Sequence, residues 1–305
     1  MGGGAAFFDY DGDGWLDIYA TTGSNGVDHL YHNRGDGTFE EVGLSAGLGI
    51  TEQFRTMGVI TGDLNGDGFT DLFVSTWEDA SSLHSRRRNL AGSRNLFFLN
   101  QGNGTFTEVG EQIGLTQNTF TMAASFGDYN LDGRLDLYLG NYIEQAHWTA
   151  EEGFQNTGYA NLLYLNQGND ANGLPQLTEV GEAMGVNNTG CTLACTFTDF
   201  DNDNDLDILV ANDFGKKGQS HVLYRNNYPD ISFTDVSQAA AINTNSYGMG
   251  IAVGDYNNDG FLDYSMSNMG ENPIHTAENR NFGNFGFLAK GNSPFGGRAN
   301  QFYFL

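Results

Sequence analysis

Basic side chains are scarce in this sequence. Thirteen Lys and Arg stand against 38 Asp and Glu in 305 residues, a formal net charge of −25. A field of that sign argues against nucleic acid or an anionic membrane surface as partner, since both are negative themselves. No apolar run approaches the roughly 20 residues of a membrane-spanning helix, so no membrane insertion is expected. No charged and then hydrophobic leader follows Met1, and any secretion signal is expected to lie outside this numbering. Proline occurs four times and cysteine twice. Cys191 and Cys195 would stand ~13 Å apart on an extended strand, too far to bridge, whereas a turn between them would allow a disulfide. With no further Cys or adjacent His they make a poor zinc site.

Reaction chemistry is also missing. The chain has no G-x-S-x-G, H-E-x-x-H, P-loop or C-x-x-C motif. Its six His (29, 32, 84, 147, 221, 275) are scattered, and His29, His32 and His221 fall in or beside strand-like segments where a structural role is expected. The chain is therefore expected not to be an enzyme.

What the chain does have is a nine-residue acidic pattern, repeated five times. It reads Asp9-Tyr-Asp11-Gly-Asp13-Gly-Trp-Leu-Asp17, then 63-DLNGDGFTD-71, 128-DYNLDGRLD-136, 199-DFDNDNDLD-207 and 255-DYNNDGFLD-263. Positions 1, 3, 5 and 9 carry oxygen-bearing side chains: Asp9, Asp11, Asp13 and Asp17; Asp63, Asn65, Asp67 and Asp71; Asp128, Asn130, Asp132 and Asp136; Asp199, Asp201, Asp203 and Asp207; Asp255, Asn257, Asp259 and Asp263. Carboxylates converging without a basic partner repel one another unless a cation sits between them, and Ca²⁺ with its six to eight oxygen ligands suits such a set. Five Ca²⁺, one per loop, are expected. Seventeen of the 38 acids occupy these positions, so five divalent ions would bring the net charge from −25 to −15. Position 2 is always apolar, and position 6 is Gly in four copies and Asn204 in the fourth, residues that tolerate the positive φ of a sharp turn. An EF-hand would need Glu at position 12 between two helices. Position 12 here is Ala20, Val74, Leu139, Val210 or Met266, and the flanks are β-branched or aromatic, so the loop joins two strands and the Asp at position 9 closes the site.

A second half follows each loop. Apolar segments 28-DHLYHN-33, 95-NLFFLN-100, 161-NLLYLN-166 and 221-HVLYRN-226 lead into turns, the first two being 34-RGDG-37 and 101-QGNG-104, the others 167–175 and 227-NYPDI-231. Outer strands are expected at Thr38–Val42, Thr105–Val109, Gln176–Val180 and Ser232–Val236. The expected fold is all-β: one domain over residues 1–305 built as a β-propeller of four-stranded antiparallel blades, with units at approximately 2–48, 49–115, 116–186, 187–242 and 243–305 and the last incomplete. The repeats of a parallel β-helix are much shorter than these units.

These motifs, D-x-D-x-D-G-x-x-D between strands, N-x-L-Y-x-N and G-D-G-T-F-x-x-V, resemble the FG-GAP or VCBS repeat of integrin-type propellers over nearly the whole chain. The opening Gly2–Asp17 is similar to secreted propellers of the cartilage acidic protein and UnbV group. The resemblance implies an additional ligand, the backbone carbonyl of position 7, here Trp15, Phe69, Arg134, Asp205 and Phe261. It also implies an extracellular or cell-surface location and a structural, adhesion or matrix role, with a protein or glycan as partner. Asn204 at position 6 and Thr70 at position 8 depart from the family pattern.

Two insertions interrupt the repeat. Residues 77–94 carry the basic cluster Arg86, Arg87 and Arg88, and residues 141–159 carry Tyr142, Trp148, Phe154 and Tyr159. The first is expected to be a solvated loop, with pairing to sulfated or uronic sugars or to an acidic protein neighbour as the alternative, and the second a long loop pinned by its aromatics, with stacking on sugar rings as the alternative. Asn103-Gly-Thr and Asn187-Asn-Thr are glycosylation sequons on expected turns. The segment Asn300–Leu305 resembles a third strand with no outer strand after it, an edge through which a homo-oligomer or filament would form if another chain covered it. A lectin-like propeller, or less readily a polysaccharide-cleaving enzyme, are the alternative functions.

Overall fold

A computed structural model describes residues 3–23, 26–79, 92–149, 153–215 and 218–268, with short strands at 286–288, 291–292 and 298–299. Each repeat folds into its own antiparallel sheet. The first contains β1 (Ala5–Phe8), β2 (Asp17–Ala20), β3 (His29–Asn33) and β4 (Phe39–Glu41), hydrogen-bonded in chain order. The second contains β5 (Phe54–Gly62), β6 (Asp71–Asp79), β7 (Leu96–Asn100) and β8 (Phe106–Glu108) in the same order. The third comprises β9 (Thr121–Gly127), β10 (Asp136–Asn141), β13 (Leu162–Asn169) and β14 (Pro175–Glu179), with a separate hairpin of β11 (Ile143–Thr149) and β12 (Gly153–Gly158) between its second and third strands. The fourth comprises β15 (Thr192–Thr198), β16 (Asp207–Asn212), β17 (Val222–Asn227) and β18 (Asp230–Asp235). The fifth shows β19 (Gly248–Gly254), β20 (Asp263–Asn268) and β21 (Gly286–Leu288), and β22 (Gly291–Asn292) pairs with β23 (Arg298–Ala299).

Strands β7, β10 and β16 are short runs buried along their whole length, and burial on both faces explains why they do not alternate. Leu72, Phe73, Val74, Leu96, Phe97 and Phe98 are all fully buried. Two compact units are formed: Met1–Phe126 with Gly133–Leu137 and Tyr164–Glu179, and Gly127–Asp132 with Tyr138–Leu163 and Val180–Leu305. In the first unit, Tyr10, Tyr19 and Leu30 of the first sheet share a core with Leu72, Val74, Leu96, Phe98 and Phe106 of the second. In the second unit, Leu209, Ala211 and Leu223 of the fourth sheet pack with Met266 of the fifth and with Ile242 between them. Successive sheets thus bury their faces against one another, the nearest-neighbour packing of a repeat array.

Three expectations need correction. The insertion at 141–159 is largely a hairpin, in which Trp148 lies opposite Phe154 in register; the β-branched and aromatic residues Ile143, Trp148, Thr149 and Phe154 favour pairing over an open loop. The outer strand of the fourth sheet begins at Asp230, not Ser232, because Arg225 and Asn226 are already paired with Thr234 and Phe233 and the ladder continues to Asn227 opposite Asp230. The third strand of the fifth sheet is Gly286–Leu288, which pairs with Met266–Asn268, whereas Asn300–Leu305 and the basic cluster Arg86–Arg88 lie outside the described residues. Cys191 and Cys195 are buried free thiols, each pushed up to about 12 by loss of solvent.

Candidate functional site

Every acidic loop connects the first and second strands of its sheet, and two left-handed residues fold it back on itself. Position 6 takes φ 88° at Gly14, 91° at Gly68, 84° at Gly133, 71° at Asn204 and 86° at Gly260. Position 4 is left-handed as well, in Gly12, Gly66, Leu131, Asn202 and Asn258. Gly or Asn at position 4 in four of the five copies is the sequence signal of that requirement. Leu131 holds the conformation against its own Cβ.

The carboxylate at position 1 organises the turn. Asp9, Asp63, Asp128, Asp199 and Asp255 each accept the backbone N–H of position 5, at 3.0–3.2 Å. In four loops the N–H of position 6 reaches the second oxygen, at 2.8 Å for Gly14 and Gly68, 3.0 Å for Asn204 and 2.9 Å for Gly260. The carboxylate at position 9 closes the loop from below: Asp17, Asp71, Asp207 and Asp263 accept the N–H of position 2. Asp17, Asp71, Asp136 and Asp207 are fully buried. Burial pushes Asp71 up to about 7 and Asp207 up to about 8, against the lowering effect of their two backbone donors. Asp17 and Asp263 are raised for the same reason.

Oxygens of the loop carboxylates also face each other. Carboxylate oxygens of Asp9, Asp11 and Asp13 lie within 4.8 Å of one another, as do those of Asp199, Asp201 and Asp203. Asp201 Oδ1 and Asp205 Oδ1 are buried and accept no hydrogen bond among the described residues. Stranded anionic oxygens of this kind are costly unless a cation meets them, and an all-oxygen donor set fits a hard divalent ion such as Ca²⁺. The residues present therefore fit the ion that the sequence implied. His32, for which a purely structural role was expected, also faces the first loop: its Nδ1 is 3.3 Å from Asp11 Oδ2 and 3.4 Å from Asp17 Oδ1.

Position 7 side chains cover the neighbouring turns. A Cβ at Gly35 would stand 2.7 Å from the Trp15 indole, and one at Gly102 would stand 2.5 Å from the Phe69 ring, so only Gly fits beneath either aromatic. Arg134 Nε donates to Asn166 O at 3.0 Å. Asp205 is buried, and Phe261 N–H donates to Asp259 Oδ1 at 3.0 Å.

The asparagine that closes each N-x-L-Y-x-N-type segment ties its third strand to the acidic loop. Asn33, Asn100, Asn166 and Asn226 each donate their backbone N–H to the buried position 9 carboxylate, at 2.8–2.9 Å. Their side-chain amides donate to the position 8 carbonyls of Leu16, Thr70, Leu135 and Leu206. Three of them also reach the preceding repeat: Asn100 donates to Tyr10 O at 2.8 Å, Asn166 to Leu64 O at 2.9 Å and Asn226 to Tyr129 O at 2.7 Å. One amide thus ties two acidic loops together.

A second set of ties occupies the opposite end of the strands. Asp28, Asn95, Asn161 and His221 open the third strands and accept the N–H of Thr22, Thr76, Asn141 and Asn212. Each then meets a hydroxyl at the following repeat: Thr56, Thr121 and Thr192 on the first strand of the next sheet, and Ser246 just ahead of β19. In the second insertion, Tyr142 donates to Asp213 Oδ2 at 2.7 Å and stacks on Phe214. The side chains of Trp148 and Phe154 lie outside the described set.

Comparison with known proteins agrees with the repeat. The family described as FG-GAP-like repeat matches residues 9–74, 87–139 and 199–266. Cartilage acidic protein 1 of Mus musculus is 23% identical over 228 residues, covering 73% of this chain and 30% of that protein. Its counterpart in Xenopus tropicalis is 21% identical over 280 residues, covering 87% of this chain and 38% of that protein. The Homo sapiens protein is 24% identical over 188 residues, with 61% and 24% covered. The chain thus spans between 24 and 38% of the length of these curated relatives. Among solved structures, an Agrocybe aegerita lectin with specific recognition of non-reducing terminal N-acetylglucosamine aligns at a TM-score of 0.34 and 17% identity, covering 86% of this chain and 74% of that one. The family matches cover more than half of the sequence, including all five acidic loops, and the chain belongs to the FG-GAP-like repeat family.

Proposed function

We propose that this chain is an extracellular calcium-binding β-propeller module with a structural, adhesion or matrix role. The observation that carries the reading is the loop itself. Five turns place Asp or Asn at the same stations, four of them bury the position 9 carboxylate, and oxygens of Asp201 and Asp205 have no donor among the described residues. Asp9, Asp11, Asp13 and Asp17 would hold the ion in the first loop, and the residues at positions 1, 3, 5 and 9 would hold it in the others. Bound Ca²⁺ would supply charge neutralisation and cross-link the two strands that each loop joins. The similarity to cartilage acidic protein 1 supports an acidic matrix protein, and the absence of a nucleophile with an adjacent base in the sequence supports binding over catalysis.

Elemental analysis of the purified chain after dialysis against calcium tests the reading, with about five ions per chain expected from one per loop. Fewer than three ions per chain would overturn it. Asp71→Ala should remove one ion and leave the others in place.

A further inference from the structure

The first acidic loop differs from the others in the residue that accompanies it from the third strand. The residue before each strand-closing asparagine is His32, Leu99, Leu165 or Arg225. It varies together with loop position 3: Leu accompanies Asn65 and Asn130, whereas His32 accompanies Asp11 and Arg225 accompanies Asp201. Burial and the adjacent carboxylates raise the Asp201 carboxyl, and the charge of Arg225 opposes them. A guanidinium can only neutralise, because it keeps its protons and offers no lone pair. An imidazole can do more, since its neutral ring has a nitrogen lone pair for a metal.

The surroundings of His32 suit coordination better than an ion pair. Its Nδ1 lies 3.3 Å from Asp11 Oδ2 and 3.4 Å from Asp17 Oδ1, and the three donor atoms gather within 4.8 Å of one another. Nδ1 is buried, yet it makes no hydrogen bond among the described residues. A protonated ring gains most by aiming its N–H at one oxygen; this nitrogen faces both and bonds neither. Asp17 is fully buried, and its two oxygens accept the N–H groups of Tyr10 and Asn33, so its place is fixed. The imidazole in turn meets the Tyr10 ring edge-on at 6.0 Å between centroids. Separations of 3.3 and 3.4 Å match the edge of a tetrahedron with bonds of about 2.0–2.1 Å, the geometry that Zn²⁺ takes with imidazole and carboxylate. Ca²⁺ binds oxygen at roughly 2.3–2.6 Å and gains little from a nitrogen donor.

We propose that the first loop takes Zn²⁺ in place of Ca²⁺, through His32 Nδ1 with Asp11 and Asp17, an assignment that rests on the reading of the acidic loops as cation sites. Leu99, Leu165 and Arg225 supply no nitrogen donor at the same station, so the second, third and fourth loops keep to hard ions. One chain thus answers to two classes of ion.

Zinc titrated into the calcium-saturated full chain, followed by elemental analysis and zinc-edge X-ray absorption, tests this. About one zinc per chain should bind, the calcium count should fall by one, and the absorption spectrum should show an imidazole ligand. His32→Leu installs the residue of the second and third repeats, and His32→Gln keeps a polar side chain of similar size. Each should lose the zinc and retain all the calcium, with the circular dichroism of wild type. Wild type that takes up calcium but no zinc overturns the proposal and leaves the calcium reading intact. Zinc bound without an imidazole, or bound equally by a folded His32 variant, overturns it as well. Zinc held through His32 in a chain that binds fewer than three calcium ions would instead support this site and overturn the calcium reading.

Discussion

His221 shows how one residue can satisfy a repeated structural role with different chemistry. In the other repeats the equivalent position is Asp28, Asn95 or Asn161, each accepting a backbone N–H. His221 Nδ1 accepts from Asn212 N at 3.0 Å, which leaves the proton on Nε2, facing Ser246 Oγ at 2.7 Å. The ring is therefore neutral, and burial lowers its pKa to about 4. Below the unfolded value near 6.5 the unfolded chain takes up a proton that the folded chain refuses, so this contribution to stability is present at pH 7 and falls as the pH drops from about 6.5 to about 4. The expected loss is on the order of 3 kcal/mol. His221→Asn, which supplies the same acceptor and donor as Asn95 and Asn161, should flatten the urea-unfolding profile over that interval relative to wild type. The sequence showed His221 at the head of a third strand but not its partners, because Asn212 comes from a neighbouring strand and Ser246 from the segment ahead of the next sheet.

Strands and loops were legible wherever the information is local. The run Leu-Phe-Phe-Leu in β7 and the Gly at loop position 6 each point to one conformation by themselves, and both were read correctly. What joins one sheet to the next was not legible. The amides of Asn100, Asn166 and Asn226 act on residues 90, 102 and 97 positions away, and nothing in a local window signals such a bond. Gly127 is a similar case: its need for Gly arises from Phe197 and Leu206 of the next repeat. Gly127→Ala should therefore overpack that contact and lower stability by about 1–3 kcal/mol in denaturant unfolding. Gly133→Ala should also destabilise, but through its positive φ of 84° rather than through crowding, since no described atom lies within 4 Å of a Cβ there. The hairpin at 143–158 escaped the sequence reading because it belongs to no repeat.

At the scale of the whole molecule, a charge of −25 and loops that gather carboxylates make stability depend on the ions in solution. Chelation should lower the thermal midpoint, since an ion that binds only the folded chain at a hundred times its dissociation constant adds about 2.7 kcal/mol per site. Calcium should restore the midpoint and a matched concentration of sodium should not, as differential scanning fluorimetry would show. Turnover of ester, peptide or phosphate substrates is expected to be absent, and activity abolished by one substitution outside the acidic loops would refute that. The asparagine ties bear on a different observable, the exchange of amide hydrogens with heavy water. The N–H groups of Asn100, Asn166 and Asn226 end on buried carboxylates while their side chains are pinned by two repeats at once, so none can be released without parting adjacent loops. They should exchange together and slowly, whereas Asn33, tied to its own repeat alone among the described contacts, should exchange first and by a separate, lower-energy opening.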